Sequence, residues 1–114
     1  MLRPANLPEG SPGNGSGVFL SKDKRFKVGV INLMGNVYMR KSDDVFKKAV
    51  QLREKFTLKK NVDFLIVDFH GEITSEKMAI GHFFDGKTTC VVGTHTHVPT
   101  ADTRILENGT AYQT

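Results

Sequence analysis

Two apolar runs, each closing on histidine, constrain this 114-residue chain more than any other feature. The first, residues 62–69 (VDFLIVDF), leads into His70-Gly71-Glu72. The second, residues 88–93 (TTCVVG), leads into Thr94-His95-Thr96-His97. Both runs are short, rich in β-branched or aromatic residues and bounded by polar or glycine positions, which reads as strand. Residues 74–84 between them are long enough for a helix. Thr74 or Ser75 is available to cap its start, and Gly86 to stop it. Strand, helix and strand in that order make a crossover unit with parallel strands. The continuous apolarity of residues 62–69 predicts a strand buried on both faces.

The rest of the chain extends this pattern. Residues 1–17 carry prolines and glycines throughout and read as a loop-rich entry segment. Strands are expected at 17–20 and 26–33 (FKVGVINL), joined by the polar turn Ser21-Lys22-Asp23-Lys24. A helix is expected over 42–56, with Ser42 as N-cap and Asp43 and Asp44 in the first turn. Val45, Ala49, Leu52 and Phe56 share one face of that helix. At the far end, Asn108-Gly109 between residues 104–106 and 110–112 predicts a hairpin. The fold class is α/β, one domain spanning 1–114.

Composition narrows the function classes. Charged residues make up 25% and apolar ones 39%, a globular balance. The formal charge of +4 is scattered, which suits a solvated basic surface better than a nucleic-acid footprint. There is no Trp, and Tyr38 and Tyr112 are far apart, so no set of base-stacking aromatics lies on one strand. No stretch is long and apolar enough to span a membrane. With one cysteine, Cys90, and no signal-peptide pattern after Met1, a cytoplasmic protein is expected.

Ligands in open α/β sheets gather at the carboxyl ends of strands, and three of the four histidines fall there. In extended chain His95 and His97 would share a face. Imidazole is the commonest metal ligand at neutral pH, and such rings need an outer acceptor, for which Asp68, Glu72 and Asp102 are candidates. His82, inside the helical stretch beside Phe83 and Phe84, reads as a packing or surface residue. The glycines of residues 10–17 lack the Lys-Ser/Thr of a phosphate loop.

The blocks Asp68-Phe69-His70-Gly71-Glu72, Thr74-Ser75-Glu76-Lys77 and Gly93-Thr94-His95-Thr96-His97-Val98 resemble those of the bacterial YmdB-type metallophosphoesterases. These belong to the calcineurin-like superfamily. Arg3-Pro4-Ala5-Asn6, residues 31–35 (INLMG), Thr100-Ala101-Asp102 and residues 109–112 (GTAY) extend the resemblance along the chain.

The resemblance implies part of an αββα sandwich and a binuclear metal site of iron or manganese, with zinc as the alternative. His70 and His95 would serve one ion and His97 the other. It further implies hydrolysis of phosphodiesters such as cyclic nucleotides, no nucleic-acid or membrane partner, and a homo-oligomer for the intact family. The family's Gly-Asp strand, Glu-Asn pair and Asn-His pair have no counterpart upstream of His70. The Asn-His pair includes the proton donor, so no catalytic residue is assigned here. The expectation is therefore a central-to-C-terminal piece of such an enzyme, inactive alone. The alternative is a non-catalytic remnant or a basic α/β binding module.

Overall fold

The computed structural model describes residues 1–114 and contains one six-stranded mixed sheet with two helices. In chain order the elements are β1 (Ser16–Leu20), β2 (Lys27–Met34), α1 (Val45–Lys55), β3 (Phe64–His70), α2 (Thr74–Phe84), β4 (Cys90–Thr94), β5 (Arg104–Ile105) and β6 (Ala111–Gln113). The sheet order is β1-β2-β3-β4-β6-β5. Strands β2, β3, β4 and β6 run parallel, as the crossover pattern requires, while β1 and β5 add antiparallel edges.

Both crossovers step in the same direction along the sheet, so right-handed connections place both helices on one face. Ile31, Leu33, Leu65, Val67, Phe69 and Val91 point to that face. They form one core with Val45, Ala49 and Leu52 of α1 and Ile80 and Phe84 of α2. The strand at residues 62–69, expected to be buried on both faces, is buried on one. Leu65, Val67 and Phe69 are buried, but Phe64 is exposed and Ile66 only half-buried. No element of the chain covers that second face, which also carries the exposed Val92. Of a two-sheet sandwich, these residues form one sheet and its helical layer.

The helices differ from expectation at their starts. α1 begins at Val45, not at 42, and its N-cap is Asp44, whose side chain accepts the Lys47 backbone N–H. Ser42 instead accepts from Asn36. No acidic residue lies in the first turn, because Asp43 and Asp44 precede the helix. α2 spans the expected residues, but its N-cap is Ile73 and neither Thr74 nor Ser75 caps it. Gly86 follows the C-cap Asp85 at φ +73°, a conformation glycine takes without a steric penalty. Gly81 lets α2 approach β6, since a Cβ there would fall 2.6 Å from the Tyr112 ring.

The entry segment is irregular but anchored. Asn6 is fully buried: its side chain donates to the carbonyls of Met34 and Asp43 and accepts from the Met34 N–H. This ties the chain's start to the end of β2 and to the approach to α1.

Candidate metal centre

Parallel pairing sets the site's register. His70, the last residue of β3, lies between Met34 of β2 and Thr94 of β4, and Asp68 lies between Asn32 and Val92. Side chains two apart on a strand share a face, so Asp68 and His70 both stand on the uncovered face of the sheet, at its carboxyl edge.

A chain of close polar contacts crosses this edge. Asn32 Nδ2 donates to Asp68 Oδ2 at 2.7 Å. Thr94 Oγ1 donates to Asp68 Oδ1 at 3.4 Å and is itself 2.9 Å from His70 Nδ1. His70 Nε2 faces His95 Nδ1 at 3.2 Å. His95 Nε2 in turn lies 2.6 Å from Glu72 Oε2. Asp68 therefore supports His70 through Thr94 and not directly.

These partners assign the tautomers. With its proton given to Asp68, Thr94 accepts from His70, so His70 carries hydrogen on Nδ1 and a lone pair on Nε2. The Glu72 carboxylate accepts from His95 Nε2–H, which leaves the lone pair of a neutral His95 on Nδ1. Two lone pairs then face each other across 3.2 Å. With both rings neutral the arrangement repels unless a proton or a metal ion lies between the two nitrogens. Ligand–metal distances of about 2.0–2.1 Å for imidazole nitrogen place adjacent ligands of one ion at about this separation. The pair therefore fits two neighbouring ligands of one metal ion. Burial first, and then the neighbouring His95, push the His70 imidazole below its ordinary value of 6.5, which keeps the ring neutral and its nitrogen available near pH 7.

His97 stands apart. Its ring centroid is 6.2 Å from that of His95, and the side chain is exposed. No group of three or more His, Cys, Asp or Glu side chains converges on one point, so the three histidines do not share a single ion. The extended geometry expected for residues 95–97 is also absent. His95 has φ +112° and His97 φ +62°, and the segment bends. Positive φ is unfavourable for non-glycine residues, and strain of this kind concentrates at functional sites. The bend turns His95 back towards His70 and Glu72.

Asp102 makes no hydrogen bond or ion pair to a histidine. It accepts hydrogen bonds from Thr100 and from the backbone and side chain of Thr114, which hold its carboxyl below the usual range. His82 is exposed on α2, away from the site. Thr94 and Asn32 were not legible as site residues, because both enter only through strand register. The α2 residue Lys77 lies beneath this edge, 1% exposed, its Nζ without a hydrogen-bond partner and its stem packed under Gly93.

A family model described as YmdB-like protein matches residues 1–114. A 2′,3′-cyclic-nucleotide 2′-phosphodiesterase of Bacillus subtilis (strain 168) is 47% identical over all of this chain, which spans 42% of that relative. A crystal structure of a Thermus thermophilus protein described as hypothetical superposes with TM-score 0.87 and 40% identity, over 99% of this chain and 42% of that one. A structure described as a novel phosphatase from Mycoplasma pneumoniae matches with TM-score 0.82 and 42% identity, over 98% and 40%. The chain thus spans about two fifths of the relatives it matches.

Proposed function

The chain belongs to the YmdB-like family, and from that premise we propose that it forms the histidine side of a metal-dependent phosphodiesterase site. One observation carries the reading. His70 Nε2 and His95 Nδ1 face each other at 3.2 Å, while their outer nitrogens are held by Thr94 and Glu72. Two neutral imidazoles suit manganese, iron or zinc better than magnesium or calcium, which favour all-oxygen sites. A divalent ion held there supplies a Lewis acid for phosphoryl oxygens and acidifies bound water.

The chain's own residues fix the donors. Asp68, through Thr94, sets the His70 tautomer, and Glu72 sets that of His95. Outer partners of this kind orient ligands and raise their basicity. His97, on the same strained loop, is the donor for a second ion. Asp102 orders the loop after it. The substrates in this reading are phosphodiesters, with 2′,3′-cyclic nucleotides the class suggested by the Bacillus subtilis relative. The single half-buried thiol of Cys90 suits a reducing compartment such as the cytoplasm.

Binuclear hydrolysis needs carboxylate and amide oxygens besides imidazoles, and no group of three or more His, Cys, Asp or Glu side chains is placed to hold an ion. Given manganese, the purified 114-residue chain is expected to bind a single ion by equilibrium dialysis and to leave bis(p-nitrophenyl) phosphate intact. Robust turnover would contradict the incomplete site, and failure to retain any divalent ion would contradict the site itself.

A further inference from the structure

The segment between β2 and α1, residues 35–44, is built to project side chains beside His70 and His95. Its base is pinned from several directions. Gly35 N–H donates to the His70 carbonyl at 2.9 Å. The Glu76 carboxylate, on α2, accepts the backbone N–H groups of Asn36 and Val37 at 2.7 and 3.4 Å. The Asn36 side chain donates to Ser42 and to the Asp43 carbonyl, and it accepts the Val45 N–H at the start of α1.

A fixed base leaves the tip, Tyr38-Met39-Arg40, held outward. Tyr38 has φ +57° and is 84% exposed. Arg40 is exposed, and its guanidinium makes neither a hydrogen bond nor an ion pair. These residues line an open depression of about 440 Å³ together with Pro4, Met34, His70 and His95.

Each feature of this lining matches a part of one ligand class. An exposed aromatic ring offers a stacking platform for a base. An unpaired guanidinium offers a fork for phosphate oxygens. The volume lies within the usual range for small-molecule pockets, about 300–1,000 Å³. We propose that residues 38–40 form the nucleoside subsite of the site described above, Tyr38 stacking on the base and Arg40 taking the phosphate next to His70 and His95. The inference rests on the phosphodiesterase reading for the direction of the phosphate, but not for the stacking itself.

The test uses the 114-residue chain, with adenosine 2′-monophosphate and ribose 5-phosphate as probes, titrated by NMR at low salt. The nucleotide is expected to bind about tenfold more tightly than the sugar phosphate, since base stacking on an aromatic side chain is worth about that much. Tyr38→Ala should erase the difference and Tyr38→Phe should keep it. Arg40→Ala should weaken both probes alike. All three substitutions are at exposed positions, so folding is preserved. Equal affinities for the two probes, a preference that survives Tyr38→Ala, or no binding of either probe would overturn the subsite.

Repeating the titration with chelator and with manganese separates the two claims. Failure to bind manganese with a Tyr38-dependent base preference intact removes only the metal reading. Manganese binding without that preference removes only the subsite.

Discussion

Replacing His95 with alanine is expected to weaken divalent-metal binding by about 100-fold or more, as should replacing His70. His95 supplies one of the two facing nitrogens, and its loss leaves His70 as a lone ligand. Loss of an outer partner alone costs about 10–100-fold, so removal of the ligand exceeds that range. The graded series is informative. Glu72→Gln frees His95 Nε2–H from its carboxylate, 2.6 Å away, without deleting a ligand, and is expected to cost about tenfold. His97→Ala should leave this ion's affinity nearly unchanged, because that ring sits 6.2 Å from His95. His82→Ala, at an exposed helix position, should change nothing. Isothermal titration with manganese or zinc reads all four.

The second large effect is expected far from the imidazoles. Asn6→Ala should destabilise the fold by about 3 kcal/mol, because it strands the backbone N–H and C=O of buried Met34, and each buried unsatisfied group costs about 1–3 kcal/mol. For a domain of this size that corresponds to a drop of about 10 °C in Tm. Asn6→Asp is a useful companion. It can still accept from the Met34 N–H, but it places a carboxylate against the Met34 carbonyl and should be at least as damaging. Because Met34 pairs with His70 in the sheet, the loss should also loosen the depression beside the site. Thermal unfolding by circular dichroism measures the first consequence, and metal affinity the second.

The sequence carried the site's location better than its geometry. His70 and His95 were legible because two apolar runs end beside them, and strand ends in parallel α/β sheets are where ligands gather. The extent of α2 was also legible from its length and from Gly86. The open face of the sheet was not. Apolarity at Phe64, Ile66 and Val92 says that the chain avoids water there, but it does not say what covers it. The α1 cap was missed because Ser42 and Asp44 are both good capping residues, and the choice depends on Asn36 drawing Ser42 away. Thr94 joined the site only once β3 and β4 had paired.

The bend at His95 had no local signal at all. Threonine on either side favours extended chain, yet His95 takes φ +112° and its ring lies 2.6 Å from Glu72 Oε2. Asn6 was likewise visible only as part of a matching segment, since nothing near it in sequence shows that Met34 needs its side chain.

The metal site rests on His70 and His95 presenting bare nitrogens to each other. Long-range ¹H–¹⁵N correlation spectra of the imidazoles test it most directly. At neutral pH without metal, His70 is expected as the Nδ1–H tautomer and His95 as the Nε2–H tautomer. Addition of zinc should then shift His70 Nε2 and His95 Nδ1 together, with His82 unmoved. The opposite tautomer at either ring, or zinc shifting one of the pair without the other, would contradict the account.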